Sequence, residues 1–255
     1  MQQKSQSWFQ NNKKVNLVDW NCRLHLQMCS HWNSPQQICN QLSAMYTKFG
    51  FTNFSLLCDY CHTSESVSAF LIRLERMEKE LRSYLPTPLH IRLQASVLLT
   101  PNLCDVVDIH RLCLRHNGYL PILLPLSSYA DWIDKELNHL LYHRGILPLF
   151  LSFERAIRLY PQEITEKLLR IPRAAFQFAY HDLQNENVAQ AVTALLRQNT
   201  SIFLGTGLTQ APKIDTYDFP NWEECVNPLL SHDDMATLLR ENRMHWSRSS
   251  IHTTL

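Results

Sequence analysis

Short apolar runs alternate along the chain with longer stretches in which apolar residues recur every three or four positions. The runs fall at 15–18, 54–58, 91–97, 119–124, 147–151, 175–179 and 201–204. Each has the length and the Val, Ile, Leu and Phe content of a buried strand. Between them, helical spacing marks 35–49, 65–84, 103–116, 130–144, 161–170 and 187–198, with a last helix at 222–243. In 64–82, for instance, Val67, Phe70, Leu71, Leu74, Met77 and Leu81 recur at helical spacing, and Arg73, Glu75, Arg76 and Lys79 are left for water.

Turn chemistry agrees with this division. Gly50, Gly118 and Gly145 each follow a helical pattern and precede a strand. That is where a left-handed residue ends a helix, and glycine takes it without a Cβ penalty. Ser34 before Pro35 reads as an N-cap followed by proline at the first helical position. Strands alternating with helices predict a parallel α/β architecture. An open doubly wound sheet and a closed barrel both satisfy alternation alone. No linker or repeat divides the chain, so one domain over 15–243 is expected, with an N-terminal arm at 1–14 and a C-terminal tail at 244–255.

Composition narrows the function classes. The chain has 255 residues, of which 45% are hydrophobic and 18% charged, which excludes a disordered chain. Net charge is +1, so composition gives no electrostatic support for nucleic-acid binding. No apolar run approaches the length of a membrane span, so no membrane insertion is expected. With only five glycines, none at dinucleotide-fingerprint or P-loop spacing, the common phosphate-cradling loops are missing. The polar arm carries no apolar signal segment, which predicts a cytoplasmic protein whose eight cysteines are mostly buried free thiols.

In parallel α/β folds the chemistry projects from the C-terminal ends of strands. Those ends carry Asp19-Trp-Asn21-Cys22-Arg23-Leu-His25, Cys58-Asp59-Tyr-Cys61-His62, Ala95-Ser96, Ser152-Phe-Glu154-Arg155 and Gly205-Thr206-Gly207-Leu208. Cys58, Cys61 and His62 match a haem c attachment pattern, which needs export that the arm does not signal. With Cys29 or His25 they also suggest zinc, although a second ligand pair at recognisable spacing is missing. Cys22 or Cys58 beside His25 or His62 would suit a thiol nucleophile. His139 and His143 are four apart on a helix but lack the glutamate of a metalloprotease motif, and read as a half-exposed pair.

The order of strands and strand ends resembles the PHP (polymerase and histidinol phosphatase) superfamily. The branch it is most similar to is that of the manganese-dependent bacterial protein-tyrosine phosphatases of capsule and exopolysaccharide operons. The family's opening Asp-x-His-x-His looks like Asp19-Trp-Asn21-Cys-Arg23. Its Ala-His-Pro-Glu-Arg looks like Leu151-Ser152-Phe-Glu154-Arg155, its Gln-x-Asn like Gln177-Phe-Ala179, and its Ala-Ser-Asp-x-His like Leu204-Gly205-Thr206-Gly207-Leu208. The resemblance runs over roughly 15–215 and implies a distorted (β/α)7 PHP-like barrel of the TIM type.

Carried over residue by residue, the family's metal ligands fall on other chemistry. Its first two histidines fall on Asn21 and Arg23, and its acidic pair near Cys29 and Ser30. The histidine after the second strand falls on Asp59, the glutamate after the third on Ser96, and the histidine after the fifth on Ser152. The closing aspartate and histidine fall on Thr206 and Leu208. Of these only Asp59 is a natural manganese ligand. Two positive charges at about 4 Å cost on the order of several kcal/mol even at an effective dielectric of 20, so Arg23 opposes a divalent ion. Without the metal no bound water is acidified. The resemblance therefore implies a pseudo-enzyme with no cofactor, acting by binding or regulation in polysaccharide assembly.

Arg155 matches the family's arginine, Lys213 lies near a second, and with Arg23 they would form a cationic phosphate site. Its partner would be a phosphotyrosine protein or a polysaccharide-assembly kinase. Alternatively Glu154, Asp19 or Asp59 neutralises Arg23 and Arg155 internally. Two rivals stay open. One is an active phosphatase using Mn or Zn on Asp19, Asp59, Cys58, His25, His62 and Glu154. The other is a small-molecule-binding barrel.

Overall fold

The computed structural model describes residues 17–19, 35–49, 51–61, 65–103, 109–115, 119–125, 129–143, 146–205 and 229–248. The elements follow the alternation read from the pattern. In chain order they are β1 (Leu17–Asp19), α1 (Pro35–Phe49), β2 (Phe51–Asp59), α2 (Val67–Tyr84), β3 (His90–Leu98), α3 (Ile109–Arg115) and β4 (Tyr119–Leu123). There follow α4 (Asp131–Asn138), β5 (Leu147–Phe150), α5 (Phe153–Leu159), α6 (Gln162–Leu169), β6 (Ala175–Ala179), α7 (Glu186–Arg197), β7 (Ile202–Gly205) and α8 (His232–Arg248). All strand pairs are parallel and the sheet order is the chain order. The sheet curls until β7 lies beside β1, and α8 packs on both.

A curled parallel sheet has two buried faces, and strand alternation sorts residues between them. On β2 and β3, Phe54, Leu56, Cys58, Ile91, Leu93, Ala95 and Val97 belong to the large core between sheet and helices. In that layer Phe153 of α5 meets Phe176 of β6 edge-on at 4.6 Å, and Phe150 lies 5.4 Å from Phe176. Burying each such ring stabilises the fold by roughly 1.5–3 kcal/mol. The opposite face forms a second, smaller apolar cluster inside the curl: Leu57, Leu149, Leu151, Ala175 and Phe203, with Tyr119 and Leu123 against it.

Helix starts are fixed by side-chain caps. Ser66 accepts from the Ala69 N–H at 3.2 Å, and Asn185 accepts from the Asn187 and Val188 N–H groups. At α8, Ser231 and Asp234 cap each other: the Asp234 N–H donates to Ser231 Oγ at 3.1 Å, and the Ser231 N–H donates to Asp234 Oδ2 at 2.9 Å. This reciprocal cap starts α8 at His232, ten residues later than the pattern placed it, and the helix runs through Arg248 into the segment expected as a tail.

Other departures have local causes. The stretch expected as a helix over 103–116 contributes only Ile109–Arg115, with 104–108 outside the described residues. The helix expected over 130–144 loosens into a π-turn at His139–His143. Helix α5 and the 3₁₀ turn Tyr180–Gln184 were not anticipated, because the first follows its strand after only two residues and the second follows with none. Gly50, Gly118 and Gly145 lie outside the described residues, as do the arm 1–14 and 249–255. Left-handed backbone is found instead at Asn102, Ser152, Arg173 and Asn199.

Strand β4 pairs with β3 only at Val97 and Leu98. Below that point α2 supplies the partners a strand would have given. The Leu93 N–H donates to Glu78 Oε2 at 2.7 Å, Arg82 Nε reaches the Ile91 carbonyl at 3.4 Å, and Arg82 pairs with Glu78 at 2.8 Å. Replacing Glu78 by alanine leaves a partly buried N–H unmet and is expected to cost about 1–3 kcal/mol in urea unfolding, with Glu78→Gln recovering part of it.

Candidate functional site

The site to inspect is the rim formed by the C-terminal strand ends. Asp59 closes β2 and Ser96 lies opposite it on β3. Both stand on the inner face, in the same alternation as Leu57. The Ser96 hydroxyl donates to Asp59 Oδ1, and the Tyr60 N–H continues the ladder to the Ser96 carbonyl at 2.8 Å. Two positions that the resemblance assigns to metal ligands are therefore joined to each other, and the Ser96 hydroxyl is buried in the process.

The end of β5 is built around Gln177. Ser152 takes a left-handed conformation, φ 51° and ψ 43°, which turns the chain from strand to helix within two residues. Such backbone costs a non-glycine residue about 1–2 kcal/mol. It is held by the fully buried Gln177 of β6: the Ser152 N–H donates to Gln177 Oε1 at 2.7 Å, and Gln177 Nε2 donates to the Phe178 carbonyl at 2.8 Å. Sequence reasoning matched Gln177 to a family position but gave it no role. Its signal is a glutamine in the middle of an otherwise apolar five-residue strand.

Arg155 and Glu154 lie in the first turn of α5, and the Arg155 N–H donates to the Ser152 carbonyl at 2.9 Å. Glu154 is buried within the fold and Arg155 is half-buried. Among the described residues no carboxylate pairs with the Arg155 guanidinium, so neither Glu154 nor Asp59 neutralises it. The next arginine on that helix behaves differently. Arg158 pairs with Asp182, an acid buried just beyond β6, and His181 Nε2 stands 3.5 Å from the same carboxylate. These three residues carried no expectation; an acid three residues past an apolar strand was the available signal.

Several expected positions cannot be placed. Asn21, Arg23, His62, Thr206, Leu208 and Lys213 lie outside the described residues, as do Cys22, His25, Cys29 and Ser30. Asp19 is the last residue of β1. Cys58 points into the sheet–helix core, whereas Cys61 is exposed. Among the described residues no three His, Cys, Asp or Glu side chains converge as metal ligands would. No helix is long and apolar enough to cross a membrane among the described residues.

Burial pushes the Cys58 thiol up to about 12, with Arg73 opposing and Asp59 reinforcing the shift. Burial likewise raises Cys113 to about 12 and Cys39 to about 11. The folded state then holds these protons more tightly than the unfolded chain, whose thiols titrate near 9. Their contribution to stability is complete below pH 9 and is lost as pH rises toward 12. Ellman's reagent at pH 8 is accordingly expected to label Cys61 quickly and Cys39, Cys58 and Cys113 only on unfolding. Rapid labelling of Cys58 in the folded protein contradicts this placement.

No family model and no curated protein matches the sequence. Among solved structures the fold is similar to a chain from the crystal structures of YwqE from Bacillus subtilis and CpsB from Streptococcus pneumoniae, described as unique metal-dependent tyrosine phosphatases. The TM-score is 0.55 and the identity 16%, over 89% of this chain and 95% of that one. At that identity the likeness is one of fold alone: an α/β chain with a curled parallel sheet.

Proposed function

We propose that this chain is a PHP-type, tyrosine-phosphatase-like protein that binds a phosphorylated tyrosine or a similar phosphate ester without hydrolysing it. On this reading the curled sheet is a distorted (β/α)7 barrel and the rim is a binding site. The observation that carries the proposal is the hydrogen bond between Ser96 and Asp59. The one carboxylate at a described ligand position is engaged by a neighbouring hydroxyl, and Ser152 offers a hydroxyl where the family has imidazole. Serine hydroxyls are poor ligands for manganese, which prefers carboxylate and imidazole. The described rim therefore does not fit the metal centre of the similar phosphatases, and no hydrolytic step is derived through one.

Arg155 supports the binding half of the proposal. A half-buried guanidinium with no carboxylate partner among the described residues suits a phosphate, which its planar fork can grip through two hydrogen bonds. Arg23 and Lys213 join it by resemblance. The partner is then a phosphotyrosine protein, such as the kinase of a polysaccharide-assembly system, and the setting is the cytoplasm.

Two measurements test the proposal. With p-nitrophenyl phosphate and added Mn²⁺, the purified protein is expected to show no turnover above the buffer rate. Stoichiometric bound metal with activity lost in Asp59→Ala overturns the non-catalytic reading. Titration with a phosphotyrosine peptide is expected to give saturable binding that Arg155→Ala weakens by about 10- to 100-fold, the loss of a charge-assisted pair. Equal binding by the two proteins removes the phosphate site.

A further inference from the structure

The net charge is +1, yet the charges are divided between the two ends of the sheet. In a parallel α/β chain each helix runs back against the strands, so helix starts gather at the rim and helix ends gather at the opposite, lower end. First turns carry acids: Asp131 on α4, Glu163 on α6, Glu186 on α7 and Asp233 on α8. The stretches that lead from the last helical turn into β2 to β7 are 46–50, 81–89, 112–118, 140–146, 167–174 and 195–201. None of them contains Asp or Glu, and every one contains Lys or Arg.

The basic end is best defined below β6 and β7. Phe176 pairs with Ile202, and the Phe176 N–H donates to the Ser201 carbonyl at 3.1 Å, so the chain enters the two strands side by side. Arg170, Arg173 and Arg197 stand on these entries, and all three are exposed. Arg173 and Arg197 pair with no carboxylate among the described residues. Arg170 meets Glu166 at 3.5 Å, an exposed pair that holds the guanidinium weakly. Cations at helix ends answer the helix dipole, which accounts for Arg170 and Arg197. It does not account for Arg173, which lies beyond α6 on left-handed backbone, where glycine or asparagine is the ordinary choice. Two tyrosines are exposed at the same end. Tyr46 is in the last turn of α1, and Tyr84 is the last residue of α2, the helix against which α1 packs.

We propose that this lower end is a docking surface for an anionic membrane, met peripherally with the rim turned away from the bilayer. The basic positions are spread over the entries to β2–β7 rather than gathered at one groove, so they match an extended anionic plane. Guanidinium groups are drawn to acidic headgroups, and tyrosine suits the interfacial layer, where an amphipathic ring meets both phases. The acids of the rim do not cancel the attraction. Strands such as β6, with 5 residues, and β2, with 9, hold the ends roughly 17–30 Å apart, whereas charge is screened over about 8 Å at physiological salt. The surface lies at the opposite end from Arg155 and does not depend on the phosphate reading.

Co-sedimentation of the full chain with vesicles of phosphatidylcholine alone, or with about one-third phosphatidylserine added, tests this. Binding to the mixed vesicles alone is expected, with release as salt rises from about 0.1 M to about 1 M and the screening length falls from about 10 Å to about 3 Å. Each arginine near the surface contributes about a fivefold gain in partition. The triple variant Arg170→Gln, Arg173→Asn, Arg197→Gln is therefore expected to partition about 100-fold less. Tyr84→Ser weakens binding without changing its salt dependence, and Arg155→Ala binds vesicles as wild type does. No binding to the mixed vesicles, equal binding to both kinds, or equal partition of wild type and triple variant overturns the proposal. Tighter binding to duplex DNA or to polyglutamate than to the mixed vesicles at the same salt also overturns it, and assigns the surface to a nucleic acid or an acidic protein. If the triple variant does not fold by circular dichroism, Arg173→Asn alone, expected to lose about fivefold, decides on the same readout.

Discussion

A sheet buried on both faces leaves little of its inner surface within reach of bulk water. That constraint organises the rim. Asp59 is half-buried at the top of β2, and the Ser96 hydroxyl donates to it from the adjacent strand. Gln177 is deeper and has both ends committed, one to the Ser152 peptide and one to the Phe178 carbonyl. Each of these side chains has a structural duty fixed by register, and register follows from the outer face, where Leu56, Cys58, Leu93 and Ala95 must all meet the helices.

The same accounting explains the edge between β3 and β4. A parallel strand with an unpaired lower half would expose N–H and C=O groups to an apolar layer. Helix α2 resolves this with charged side chains in place of a backbone: Glu78 accepts from Leu93, and Arg82 donates to Ile91. Their mutual ion pair keeps both heads in place. The cost is burial of charge, visible in Arg92, whose guanidinium is pulled below its ordinary range by burial while Glu78 opposes the shift. The strained turn at Ser152 follows a similar logic, since the left-handed residue is tolerated where Gln177 anchors its N–H.

Much of the fold was legible because it depends on side-chain period alone. The strand positions at 91–97, 147–151 and 175–179 and the helix at 35–49 reappear with small shifts as β3, β5, β6 and α1. What periodicity missed depends on single contacts. Helix α5 starts after a two-residue turn, Leu151-Ser152, because Gln177 holds the Ser152 peptide, a contact 25 positions away in the chain. The start of α8 is set by Ser231 and Asp234, whose spacing was readable but lay inside a longer helical pattern. At the rim, the sequence named Asp59, Ser96, Ser152 and Arg155 as strand-end residues. It could not say that the first two bond each other, because alternation gives the face of a residue and not its partner across the ladder.

The charge of the rim decides what it can hold. A metal centre needs several anionic or imidazole donors left open toward one point. In the described rim, the Asp59 carboxylate is turned to a hydroxyl, and Asp182 is turned to Arg158 and His181. Asp182 is neutralised by Arg158, whereas no acid pairs with Arg155 at the rim among the described residues. An unneutralised, half-buried guanidinium is costly unless an anion from outside supplies the missing charge. On the proposed reading, phosphate provides it. On that reading the described rim suits a phosphate better than a divalent cation.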